Sequence, residues 1–343
     1  MNELVRERCE LLATNRAVMR KKFAFEDNLL CVTGSLIFTL EGKEADAEKL
    51  AGCKKILAKQ TGLFSKLRSM AELVVLSKMA LSDDPEKLIE DLKTVCEKVR
   101  KAKFKEDPYM VLACLLICDL GLQDDCDEII SRAAEIMGRM DKEHPFLTSS
   151  EDTTSVMLLA LSYKNVDTII SELEEGYRYL KETPKLSVSG NAAQNLCEVL
   201  VVSYGDIKTK CDKVVKIRKA FKNLKSDFGS AEELATIAAL VDEDMSPEAL
   251  AAEIIEASDF LKSQKGFEDG SINAGQRTMY VTLLAAGVYG KGSNMMSGPA
   301  ISNSFSVINA KRIASTISIV TNLVSGVISG LIEDSGKKEQ EEK

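Results

Sequence analysis

Tryptophan is absent from this chain of 343 residues, and histidine occurs once, at His144. With a single His, Ser-His-Asp and Cys-His chemistry would each have to run through that one residue. No G-x-S-x-G nucleophile motif, Gly-rich phosphate loop, zinc signature or spaced pair of catalytic acids occurs either. The sequence therefore assigns no catalytic residue, no metal and no cofactor, and the balance leans away from an enzyme. Strand signals are nearly missing, and aromatic residues make up only 5% of the chain. The net charge of −8, with no dense Lys/Arg run, argues against a nucleic-acid partner, because an acidic surface repels phosphate.

Nine cysteines are present, at odd number and scattered spacing, with no C-x-x-C. Cys114 and Cys118 lie one helical turn apart, but no second pair follows at zinc spacing. They read as small buried hydrophobes in a reducing cytosol, not as a metal or disulfide framework. The first ten residues carry charge throughout, which argues against a signal peptide and for a cytoplasmic protein.

Hydrophobic residues form 45% of the chain and charged ones 29%, as expected of a globular core with a solvated surface. The apolar residues recur at helical spacing almost everywhere, and two sets of markers repeat. Helices end in Leu or Val before an acidic turn at Leu40, Leu81, Leu120, Leu161, Val202 and Leu240. An apolar residue precedes a polar turn at Phe64, Phe104, Phe146, Leu186, Phe228 and Phe267. Both sets share a spacing of roughly forty residues. This predicts an all-α fold of tandem αα-hairpins, six helix pairs over about 25–265, within a repeat domain of residues 1–290. One helix, over 2–22, precedes the pairs. A hairpin cannot bury its own apolar face, so neighbours must stack. The expected product is an αα-superhelix (a solenoid), with a closed α/α toroid as the alternative. The spacing is near that of HEAT and tetratricopeptide units, but the Trp-Leu-Gly pattern of the latter is missing.

In each pair the first helix is apolar over much of its circumference, as in Tyr109 to Leu120. The second carries a stripe: Leu88, Leu92, Val95 and Val99; Ile129, Ala133, Ile136 and Met140; Val214, Ile217, Phe221 and Leu224. Asp84-Pro85-Glu86 and Ser246-Pro247-Glu248 read as helix starts, and Asp167 and Asp206 as further caps. A metal site built on these acids is the less economical reading, since they recur once per unit as caps would.

Turns from the second helix of one pair to the first of the next open on one rim. The richest in hydroxyls and amides follow Phe146 and Leu186. A polar ligand pocket there would be formed by Ser150, Asp152, Asn191, Gln194, Gln276 and Arg277. The plainer reading of Thr148, Ser149 or Ser150 followed by Glu151 and Asp152 is a capped helix start. His144 before Pro145 reads as a surface or helix-end residue.

Residues 313–332 contain no charge and include Gly326 and Gly330 in a G-x-x-x-G. The stretch is long enough for a membrane span. However, Ile313, Ile317, Val320, Val324, Val327 and Leu331 share one face, while Ser318, Asn322, Ser325 and Ser329 lie on another. The segment 301–332 therefore reads as a docking helix that covers the last repeat or mediates a homo-oligomer, with membrane association as the less favoured option. Residues 291–300 read as a loop and 333–343 as a charged, disordered tail.

The stretch His144-Pro-Phe-Leu-Thr-Ser-Ser-Glu-Asp152, followed by an apolar helix, and Gly190-Asn191-Ala-Ala-Gln194-Asn-Leu196 resemble bacterial proteins, mainly Gram-positive, of the family called domain of unknown function 4003. The resemblance spans about 5–290. It implies a bacterial origin and carries no activity, cofactor or catalytic residue with it. The family pattern has a Ser-His after the Asn/Gln motif, where this chain has Cys197-Glu198. The expected function is a non-enzymatic scaffold that binds a protein or small-molecule partner. The alternatives are an enzyme on a closed toroid, using carboxylates near the 146–152 turn, and a membrane-associated protein held by 313–332.

Overall fold

The structure is a computed structural model that describes residues 1–289 apart from 63–64, 125, 163, 184–187, 203–204, 227 and 229–231. The expected loop 291–300, docking helix 301–332 and tail 333–343 lie outside the described residues, as do Phe64 and Leu186. Among the described residues all regular structure is helical, with no strand. The helices are α1 (Glu3–Lys22), α2 (Asn28–Leu40), α3 (Ala47–Gln60), α4 (Glu72–Leu81), α5 (Pro85–Lys101), α6 (Pro108–Asp119) and α7 (Cys126–Glu143). They continue with α8 (Thr153–Leu161), α9 (Val166–Glu182), α10 (Gly190–Val202), α11 (Ile207–Asn223), α12 (Glu232–Ala235), α13 (Pro247–Ser263) and α14 (Ala274–Tyr289). Short 3-10 turns occupy Lys66–Arg68, Ser150–Asp152 and Thr236–Leu240.

The starts of these helices are written in short polar side chains. Asp27 accepts from the backbone N–H groups of Leu29 and Leu30, Asp46 from Glu48 and Lys49, and Asp84 from Lys87. Asp206 and Ser246 do the same for α11 and α13. Each satisfies an N–H that has no partner inside the helix and places a dipole or charge at its positive end. Asp167 departs from the sequence reading. Asn165 caps α9, accepting from Thr168 at 2.8 Å, and Asp167 sits in the first turn, paired with Arg139.

Even- and odd-numbered helices differ in burial. In α6 every residue from Tyr109 to Ile117 is buried, and in α8 every residue from Thr153 to Ala160. The odd-numbered helices bury one face only. That face is the predicted stripe at Leu92, Val95 and Val99, at Ala133, Ile136 and Met140, and at Val214, Ile217 and Phe221, all buried, and it departs from it at one end position in each helix. Ile89 and Ile130 are buried where Leu88 and Ile129 are half-buried, and Leu224 lies past the end of α11, 49% exposed. Phe228 and Phe267 are fully buried, but Phe146 stands 98% exposed.

Each odd-numbered helix packs on its neighbours of the same kind, α1 on α3 and so on through α11 on α13, and α13 touches α1 again. The even-numbered helices pack inside them. α2 meets α4, α6 meets α8, α8 meets α10, α10 meets α12, and α12 meets α14, which returns to α2. The 3-10 turn Lys66–Arg68 bridges to α6 ahead of α4. Start and end of the described chain thus meet. The N-terminal ammonium of Met1 pairs with Glu253 and Glu256 of α13, Arg6 lies 4.7 Å over the ring of Phe260, and Asn28 donates to Ser271 at 3.0 Å.

The nine cysteines are free thiols. Cys96 and Cys118 are half-buried and the others buried, mostly along the helix packing faces. No helix among the described residues is long and apolar enough to cross a membrane.

Candidate functional site

The most strongly perturbed carboxyls among the described residues lie where α8 begins against α10. Ser149, extended and non-helical, opens the 3-10 turn Ser150–Asp152 with a capping box. Its hydroxyl accepts from the Glu151 N–H at 3.1 Å, and Asp152 Oδ2 accepts from the Ser149 N–H at 2.7 Å. This local pattern turns the Asp152 side chain inward, to 5% exposure. From α10, Gln194 and Glu198 project on one face, four residues apart. Gln194 Nε2 donates to Glu198 Oε1 at 3.2 Å, and Glu198, 1% exposed, hydrogen bonds with Asp152 and Ser155. Thr154, next to this group, donates to the Tyr109 carbonyl at 3.1 Å and ties the start of α8 to α6.

Burial is the main force on both carboxyls. It pushes Asp152 up to about 6, against the Ser149 N–H and the Glu198 and Gln194 hydrogen bonds, which favour the charged form. Glu198 is raised well above the usual carboxylate range by burial first and by the Asp152 charge second. Two carboxylates this close cannot both ionise cheaply. Glu198 therefore keeps the proton and donates it to an ionised Asp152 near neutral pH. Gln194 Oε1 is buried without a partner.

Of the six residues expected to line a pocket, Asp152 and Gln194 are brought together. Ser150 is half-buried beside them, its carbonyl accepting from Thr153 Oγ1 at 2.7 Å. Asn191 is exposed at the start of α10. Gln276 and Arg277 serve the start of α14. Gln276 Oε1 accepts from the Asn273 N–H, Asn273 Oδ1 accepts from the Gln276 N–H, each at 2.9 Å, and Arg277 donates to the Ile272 carbonyl at 2.6 Å. Here the expected pocket divides into two unlinked local networks, because helix-start residues bond within their own turns. His144 lies just past α7 and faces α9, with Nε2 2.9 Å from Glu174 and its ring 4.6 Å from that of Tyr177.

Two features escaped sequence reasoning. Glu198 was noted only as a departure from a family pattern. The usable signal was a lone charge inside the apolar run Asn-Leu-Cys-Glu-Val-Leu-Val-Val. The second is Lys210, buried on α11, whose ammonium donates to the Leu200 carbonyl at 2.6 Å beside Lys164, which bonds Glu172 and the Val201 carbonyl. Burial, then the Lys164 charge, lowers Lys210 to about 8. These amines meet the last carbonyls of α10, the negative end of its dipole, and cap it. Among the described residues no three His, Cys, Asp or Glu side chains come together as a metal-ligand set.

No curated protein and no solved structure matches the chain. One family profile does match, over residues 15–313, which is most of the sequence and includes both arms of the carboxyl pair. The chain belongs to the family described as protein of unknown function (DUF4003).

Proposed function

We propose that this protein is a non-enzymatic binding scaffold whose stacked αα-hairpins close into an α/α toroid. The ring reading is supported by the contact of α1 with α13 and of α2 with α14, which an open superhelix would not make. The observation that carries the binding reading is the state of the Asp152–Glu198 pair. Its oxygens are withdrawn from solvent and committed to Ser149, Ser155, Gln194 and each other. A general acid must reach a substrate atom, whereas this pair latches α8 to α10. Rigid helices then leave the turns and rims for recognition.

A second reading has its own support. Asp152 at about 6 lies in the range where a carboxyl can exchange protons near neutral pH, and the unpartnered Gln194 carbonyl beside it would welcome a donor. Incubating the protein with a mixture of cell metabolites separates the two. Ligands that raise the melting temperature without being consumed support the scaffold. Consumption by wild type, lost in Glu198→Gln while the fold persists, would replace it with the enzyme.

A further inference from the structure

Phe25 and Phe146 are 105% and 98% exposed, and Leu224 is 49% exposed. Each sits in a turn from an odd-numbered helix to the next even-numbered one: α1 to α2, α7 to α8, and α11 to α12. These turns share a rim because the odd-numbered helices run parallel. Glu175 of α9 pairs with Lys208 of α11, and four residues on in both helices Tyr179 bonds Asp212. In the cycle α1, α3, α5, α7, α9, α11, α13, the helices that carry the tips stand first, fourth and sixth. The apolar tips are therefore spread around the rim like the feet of a tripod.

Charge follows the same axis. The odd-numbered helices place Lys22, Lys59, Lys101, Lys142, Lys222 and Lys262 in their last turns on this rim, where Glu26, Asp141, Glu143 and Glu182 also lie. Their starts, on the opposite rim, carry acids such as Asp46, Asp84 and Asp206. Basic ends also complement helix dipoles one at a time, but parallel helices gather them on one face of an otherwise acidic protein. Single exposed apolar side chains are ordinary. Wholly exposed phenylalanines on the rim that gathers these lysines are not explained by packing. A compact partner would meet one foot, while a flat surface meets all three.

We propose that this rim docks on an anionic lipid bilayer, with Phe25 and Phe146 entering the headgroup layer and the lysines facing lipid phosphates. The inference rests on the ring arrangement above and is independent of whether the protein has an activity.

The test is co-sedimentation of the full chain with phosphatidylcholine vesicles, with and without phosphatidylglycerol. Wild type is expected to bind only the anionic vesicles, and less at on the order of 0.5 M salt. The variant F25S/F146S should bind them at least roughly tenfold more weakly. Both side chains stand in solvent, so its circular dichroism and melting temperature should match wild type. Leu4→Ser, at a 56% exposed residue on the opposite rim, should bind as wild type does. Absence of vesicle binding by wild type overturns the proposal. Undiminished binding of F25S/F146S also overturns it and moves the attachment elsewhere, with residues 313–332 the first region to delete. Tighter binding to polyglutamate than to vesicles, insensitive to the two substitutions, would instead make the rim a face for acidic proteins.

Discussion

Replacing Asp152 by Asn should change how stability depends on pH, by an amount set by the burial of one carboxyl. The Asn carbonyl oxygen can still accept the Ser149 N–H, and its amide can donate to Glu198, so the capping box and the link to α10 survive. What is lost is the titration. In the folded protein Asp152 is raised from 3.8 to about 6. A raised carboxyl favours the fold while protonated. Its contribution is fully present below about pH 4 and is lost as pH rises through about 6. Two pH units at about 1.4 kcal/mol each amount to about 3 kcal/mol. Glu198 adds a change of the same sign, since without the Asp152 charge its own carboxyl ionises more readily. D152N should therefore gain about 3 kcal/mol relative to wild type between pH 4 and pH 7. Urea unfolding of both proteins at several pH values reads this directly, and the other titrating groups cancel in the difference. If the two stability curves run parallel within about 1 kcal/mol, Asp152 ionises as a solvent-exposed acid does and the buried pair is refuted.

Three further outcomes follow from packing and capping. Asn15 is buried and makes three bonds, donating to Thr39 Oγ1 and the Lys43 carbonyl and accepting the Ala45 N–H at 2.7 Å; Asn15→Ala strands these groups and should cost about 2–4 kcal/mol in urea unfolding. Leu159, fully buried in α8, should cost about 2–5 kcal/mol as Leu159→Ala, with a smaller loss pointing to a collapsible site. Asp206→Ala removes the cap of α11 and should cost about 1 kcal/mol, whereas Asp206→Asn should cost less, because Asn still accepts the Thr209 N–H. A melting temperature unchanged by Asp206→Ala would show that the cap is redundant.

Much of this protein is decided by short stretches of chain. Helix ends at Leu40, Leu81, Leu161 and Val202, and the caps Asp84, Asp206 and Ser246, could be read directly because apolar period, Pro at the first turn and capping side chains act within a few residues. The same holds for the all-round burial of α6 and α8, which follows from apolar residues on every face. What the tertiary structure alone decided depends on residues distant in sequence. Ile89 and not Leu88 faces the core, because the seam of an outer helix is set by how it leans on its neighbours. Phe146 is exposed where Phe228 and Phe267, at the same marker position, are buried, and nothing local to its turn tells them apart. Glu198 meets Asp152 only when α10 lies against α8, and no local signal encodes that distance. The return of α1 to α13 is of the same kind. It joins the first helix of the described chain to its thirteenth, and no short stretch of sequence records that contact.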